Sequence, residues 1–453
     1  MQARGNCGAG AMKAVHLLYG KDGLSVRVPQ DAAVLAGRDV EAVPDAQQAV
    51  AEALAEPIAA APLADLLVAR RPRSVAVTIS DITRPVPNRD FLPGILHALN
   101  RCGVADSQIA VLIGAGMHRP ATPDERRILL GEEIPARVEV IDHRANDPAA
   151  LVELAADPGG RAAGDPPVRV NRRFADADFR IVTGCIEPHF MAGFSGGRKG
   201  VCPALVDLDT IQRFHGFETL ADPRAAGGVL AGNPCHEIAL RIARAVGVDF
   251  LFNVALTRDR RLAGIYCGDL VGAHEAGCRQ VAEWAAADID APFDLVVASG
   301  GGYPLDQTFY QTVKGMCTAL PALGKHSTLL VASECWEGID SPAYADLMLR
   351  WDNNWQAFLV DIEANKDRTD LCQWEFQMHA RVLERIGLDN LWFVSDGIPP
   401  EVQRHLAVRP LIGKGDAQTR AQRAVDEYLA AHDGARIAVF PDGPYTMLRV
   451  RES

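Results

Sequence analysis

The stretch Phe179-Arg180-Ile181-Val182-Thr183-Gly184-Cys185-Ile186, continued by Glu187-Pro188-His189-Phe190-Met191-Ala192-Gly193-Phe194-Ser195-Gly196-Gly197-Arg198-Lys199-Gly200, decides the fold class. Its first eight residues are mostly apolar and do not alternate with polar ones. That is the pattern of a strand covered on both faces, as in a parallel sheet. A histidine stands just past the strand's carboxyl end, and a glycine-rich turn then delivers a lysine. Glycines at 193, 196, 197 and 200 let backbone N–H groups approach a bound anion closely. The spacing is not that of a Walker loop, which needs G-x-x-x-x-G-K-[ST].

Working outward, similar runs recur. Residues 13–18 and 24–28 read as a hairpin closed by Gly20-Lys21-Asp22-Gly23. Residues 74–79, 109–113, 138–141 and 179–186 read as strands, with a helix over 91–100. Thr122-Pro123-Asp124-Glu125 has the cap, proline and glutamate of a helix start. A helix over 236–245 follows the Gly232-Asn233-Pro234 turn. A second series supplies strands at 295–298, 328–331, 391–394 and 436–440. Its helices are predicted from an Asp306 cap to about 320, over 376–386 and over 417–431. Alternating strands and helices predict an α/β protein of two domains with mainly parallel sheets. The lightest seam lies near 285–292. A surface loop is expected over 155–167, and an unstructured extension over 1–12, with Met12 a candidate start.

The bulk properties narrow the class. A formal net charge of −12 argues against a nucleic-acid surface, which would need a basic stripe. No apolar run reaches 18 residues, so no membrane helix is expected, and the first residues lack a secretory core. Ten cysteines without C-x-x-C spacing fit reduced thiols in a cytoplasmic protein.

The polar clusters fall at strand ends: Asp81 to Arg84, His118, His189, and the glycines at 300–302. Open parallel sheets bind ligands there. His118 and His189 are each either hydrogen-bonded loop histidines or acid/base groups. Lys199 is either a solvated lysine or a nucleophile or phosphate contact. His215, in a helical pattern, is a structural histidine or a ligand for nickel or zinc; no closed metal-binding set accompanies it. Asp81 and Arg84 either pair with each other or form an anion clamp in which the aspartate orients the arginine or a histidine. Gln311 and Lys314 share one helix face, as an exposed stripe or a carboxylate-binding pair. Gly114-Ala115-Gly116 lacks the third glycine of a dinucleotide fingerprint, since Arg119 takes that place. Trp336 and Trp374 are core residues or pocket walls.

Together, Ser80-Asp81-Ile82-Thr83-Arg84-Pro85, Gly116-Met117-His118-Arg119, the 187–199 motif, His215, Gly232-Asn233-Pro234 and the segment 301–315 with its Tyr310-Gln311-x-x-Lys314 core resemble the nickel-pincer-nucleotide-dependent lactate racemase family. The motifs stand in the family's order and span most of the chain from about 13 to 445. One departure is Pro203-Ala204, where the family commonly has proline-glycine.

The resemblance implies two domains with the active site in the cleft between them. A first domain at 13–288 would bind cofactor and perform catalysis, and a second at 289–440 would bind substrate. A tail at 441–453 is a candidate to return to the first. It implies a racemase or epimerase that inverts C2 of a small 2-hydroxycarboxylate, lactate or a relative, by hydride transfer. The implied cofactor is a pyridinium-3,5-bisthiocarboxylic acid mononucleotide that grips nickel and is joined covalently to Lys199. His215 would complete the nickel coordination. Asp81, Ile82, Thr83 and Arg84 would hold the cofactor. His118 and His189 would be the paired acid/base groups, and Arg84, Gln311 and Lys314 would bind the substrate carboxylate. Partner enzymes would make the cofactor. The alternative is a non-catalytic protein that holds a nucleotide or hydroxy acid on the same loops.

Overall fold

Val75–Ser80 is the hinge of the first sheet, flanked in parallel by Ile109–Gly114 on one side and Phe179–Cys185 on the other. The computed structural model describes residues 11–84, 86–154 and 167–451. The expected extension therefore lies outside the described residues up to residue 10, and the expected 155–167 loop does so up to residue 166. The described residues form two units: those within 38–285 with 362–370, and residues 11–37 with 286–361 and 371–451.

The first unit carries a six-stranded sheet ordered Leu262–Gly268, Phe250–Leu256, Phe179–Cys185, Val75–Ser80, Ile109–Gly114, Glu139–Asp142. All neighbours run parallel except the Leu262–Gly268 edge strand, which pairs antiparallel. Val75, Val77, Ile79, Val111, Ile113 and Ile181 are almost fully buried, as continuous apolar runs require. The helix Asn88–Arg101 lays Phe91, Leu92, Ile95, Leu96 and Leu99 against this sheet, one helical stripe. Phe91 stacks on Phe252 with ring centroids 5.1 Å apart.

The second unit holds an all-parallel sheet ordered Arg409–Pro410, Leu391–Val394, Leu323–Ala332, Phe293–Ser299, Ile437–Phe440, Ala33–Val34. The hairpin Met12–Leu17 and Leu24–Pro29 packs Leu17, Leu24, Val26 and Val28 into the core of this sheet, with Leu295, Val297 and Val439. The first strands thus cluster with the second series and not with the segment that follows them in the chain. Met447–Val450 pairs with Ala286–Ile289, also in this unit.

Asp306 does not cap a long helix. A short 3-10 turn, Leu305–Gln307, intervenes and the helix runs Phe309–Thr318. The Asp306 carboxylate instead accepts from the backbone N–H of Gly20 (2.8 Å) and of Glu334 (3.2 Å), which ties two loops together. The sequence reading also passed over the helices Ala46–Ala55, Leu63–Arg70, Gly272–Ala285, Pro342–Trp351 and Trp355–Ala364, and the paired strands Phe250–Leu256 and Leu262–Gly268.

Candidate active site

Three adjacent parallel strands end on the same edge of the first sheet, and their exits carry the polar residues. Val75–Ser80 releases residues 81–84, Ile109–Gly114 releases the turn to His118, and Phe179–Cys185 releases the loop with His189. The Gly300–302 cluster follows Phe293–Ser299 in the other sheet.

The first two exits meet. His118 Nδ1 lies 2.7 Å from Asp81 Oδ2, and Thr83 Oγ1 donates to Asp81 Oδ1 at 2.6 Å. Burial pushes the Asp81 carboxyl up, but His118, Thr83 and Arg84 outweigh it and hold the group below the usual carboxylate range. Asp81 is therefore ionised, and the His118 nitrogen facing it carries the proton. Ile82 is half-buried against the hydrophobic core, which anchors this loop.

The third exit is a tightly bound loop. Ser195 Oγ donates to the Cys185 carbonyl (2.7 Å) and accepts from the Glu187 N–H (2.9 Å), which closes its base. His189 is buried, and its Nδ1 accepts from the backbone N–H of Met191 and of Ala192, each at 3.2 Å. Gly197 has φ of 55° and donates its N–H to Asn253 Oδ1 at 2.7 Å. A Cβ at Gly197 would stand 2.5 Å from His274 Cγ, so only glycine fits. Arg198, 1% exposed, donates to the Ala192 carbonyl (2.6 Å) and to His274 Nε2 (3.0 Å).

This frame delivers Lys199 into the interior. Burial pushes its amine down to about 7, and Arg84 and Arg198 add to that depression, while Cys235 and Cys202 act against it. Its Nζ lies 5.5 Å from the Phe214 ring centroid. The next residue, His215, closes the helix Leu208–Phe214. Its Nδ1 donates to the Ile211 carbonyl at 2.9 Å. Burial, with Lys199 beside it, pushes this imidazole down to about 3. The ring is neutral and its lone pair sits on Nε2, the form that binds a metal.

In the second unit, Gln311 and Lys314 lie one turn apart on Phe309–Thr318, both buried, and the Lys314 ammonium donates to Gln311 Oε1. The neighbouring Tyr310 hydroxyl accepts from Trp374 Nε1 at 2.6 Å. Trp374 is buried, whereas Trp336 is exposed.

The residues Arg198, Asn253 and His274, which brace the Lys199 loop, received no role from the sequence. Asn253 sits in an apolar strand, where a buried amide is a signal that it serves a backbone group. His274 falls on the buried stripe of Gly272–Ala285 with Gly277, Cys278 and Val281, a periodicity visible once that helix is recognised. Among the described residues, no cluster of three or more His, Cys, Asp or Glu side chains is arranged to hold a metal. No helix there is long and apolar enough to cross a membrane.

Comparison with known proteins matches two family models: the lactate racemase N-terminal domain over residues 19–228 and the lactate racemase C-terminal domain over 289–447. A lactate racemase from Lactiplantibacillus plantarum is 32% identical over 398 residues, covering 88% of this chain and 89% of that protein. One from Thermoanaerobacterium thermosaccharolyticum is 30% identical over 400 residues, covering 88% and 90%. The structure of the lactate racemase apoprotein from the latter organism superposes with a TM-score of 0.85 at 28% identity, covering 96% of this chain and all of that one.

Proposed function

The chain belongs to the lactate racemase family, and from that premise we propose that it inverts C2 of a small 2-hydroxycarboxylate by hydride transfer through a nickel-pincer nucleotide tethered to Lys199. It is an isomerase of the racemase type. The observation that carries the finer reading is the Lys199 environment: a buried amine near 7, depressed by burial and by the charges of Arg84 and Arg198. A lysine kept partly neutral is a nucleophile able to form an amide. The surplus of buried positive charge suits an anionic nucleotide.

The residues present fit the group. Arg84 with residues 81–83 would hold it, Lys199 would bear the bond, and His215 would offer Nε2 to nickel. When bound, the nickel-pincer nucleotide supplies hydride acceptance and return. The protein's own task is then to move a proton at the substrate oxygen and to keep the carboxylate still. His118 and His189 are the paired groups for the first task, because the hydroxyl ends on opposite sides in the two enantiomers. Lys314, Gln311 and Arg84 perform the second, anchoring the carboxylate while the planar carbon turns. Separate synthesis enzymes would supply the cofactor, in the cytoplasm.

The test is chiral chromatography of single-enantiomer lactate and other 2-hydroxy acids incubated with protein produced beside cofactor-synthesis enzymes. Appearance of the opposite enantiomer, absent without the cofactor, is expected. Binding of the acid without inversion would replace this reading with that of a carrier or sensor.

A further inference from the structure

Residues 362–370 pack with the first unit, although the chain on either side of them, 286–361 and 371–451, belongs to the second. The excursion begins inside the helix Trp355–Ala364 and turns at Asn365, whose carbonyl accepts from the Arg368 N–H at 2.9 Å. Glu363, Lys366, Asp367 and Arg368 are exposed, and Ile362 is the segment's one buried side chain. So little apolar surface holds the segment weakly, and its polar attachments decide where it lies.

Those attachments fall on both sides of His215. Gln212 Nε2, three residues before it, donates to the Thr369 carbonyl at 2.6 Å. A Cβ at Gly216, the residue after it, would stand 3.6 Å from Thr369 Oγ1, so Thr369 lies against that turn. Glu218, three residues after it, pairs with Lys366 Nζ at 2.7 Å. The ties are unequal. The Lys366 and Glu218 side chains are 51% and 71% exposed, and an ion pair in water contributes little. The Gln212 bond is half-buried and ends on backbone, so it fixes the course of the chain itself. The helix it grips, Leu208–Phe214, has seven residues. A helix that short has little stability of its own, so whatever packs on it sets where its end lies.

Resting on the reading of His215 as the nickel ligand, we propose that residues 362–370 are a positioning strap for it: Gln212 and Thr369 hold the end of the short helix in the place from which His215 meets the metal. Both are positioning residues that act through His215. Linkage makes the effect reciprocal. Whatever affinity the docked strap adds for nickel, bound nickel adds to the docking of the strap.

The experiment measures both halves of that linkage on the full chain. Trypsin cuts after Lys366 and Arg368 when the strap lifts. In protein loaded by cofactor-synthesis enzymes, that cleavage is expected to be about 5-fold slower or more than in cofactor-free protein. Gln212→Met keeps the side chain's length and helix propensity but removes the donor. It should shrink the protection to less than about 2-fold. It should also release nickel to a chelator about 10-fold faster, with the Lys199 mass adduct retained. Equal cleavage of loaded and cofactor-free wild type, a comparison that needs no variant, overturns the proposal. So does nickel release unchanged by Gln212→Met. A wild type that takes up no nickel would sink the reading of the site and the strap with it. An active racemase whose nickel release ignores Gln212 would sink the strap alone.

Discussion

The Lys199 amine lies 5.5 Å from the centroid of the Phe214 ring, the residue that precedes His215. One helix end thus brings the side chain proposed to bear the cofactor next to the one proposed to bind its metal. The amine is displaced to about 7 because burial and two arginines oppose its charge.

That displacement predicts a trade of stability against function. In the unfolded chain the lysine keeps its ordinary value near 10.5, so between about pH 7 and 10.5 the unfolded state binds more protons. Wild-type stability therefore rises with pH across that window on account of this group. Lys199→Met should stabilise the cofactor-free protein at pH 7 by about 1–3 kcal/mol, the advantage shrinking toward pH 10.5. Thermal melts of both proteins over that range check the sign. The same variant should carry no covalent adduct by intact mass when made with cofactor-synthesis enzymes; an adduct equal to that of wild type would refute the tether.

His215 reaches its metal-binding form because Nδ1–H is given to the Ile211 carbonyl. His215→Ala is expected to lose most of its nickel after gel filtration, measured by elemental analysis, while the mass adduct at Lys199 persists. Retention of a full equivalent of nickel would remove His215 from the ligand set.

Gly197 predicts a backbone effect. Its φ is 55°, and a side chain's Cβ would meet His274 Cγ at 2.5 Å, so Gly197→Ala should cost about 2 kcal/mol or more. The loop that carries Lys199 would shift, so adduct formation should fall along with the melting temperature. A variant with wild-type melting would show that His274 yields easily.

Lys314 is buried and donates to Gln311 Oε1 on the same helix face. Lys314→Met should raise KM for the 2-hydroxy acid by about 10- to 100-fold, the worth of one charge-assisted hydrogen bond. Steady-state kinetics with several acids tests this; an unchanged KM would move carboxylate binding elsewhere.

How far the sequence reached can be read from particular elements. Val75–Ser80, Ile109–Gly114 and Phe179–Cys185 announce themselves because buried parallel strands are unbroken apolar runs. The Thr122 cap was legible since both halves of its capping box are in the sequence, whereas the Asp416 cap of Ala417–Ala431, whose carboxylate accepts from the Thr419 N–H at 2.8 Å, was not read there. Ala46–Ala55 was not legible: alanine and glutamine give it a weak apolar stripe. Asp306 misled because an aspartate ahead of a helix also serves as a loop tie, and only the positions of Gly20 and Glu334 decide between them. The candidates Asp81, Arg84, His118 and His189 stood out in the sequence as polar residues just past apolar runs. What they bond to did not, because His118 meets a carboxylate 37 residues away and His189 two amides of its own loop.

The measurement that bears most directly on the central claim is proton NMR of a single-enantiomer 2-hydroxy acid incubated with loaded protein in D2O. Inversion with C2 retaining its original hydrogen is expected, since hydride is held and returned without exchange. Deuterium appearing at C2 as inversion proceeds would mean a carbanion route, and would contradict the account.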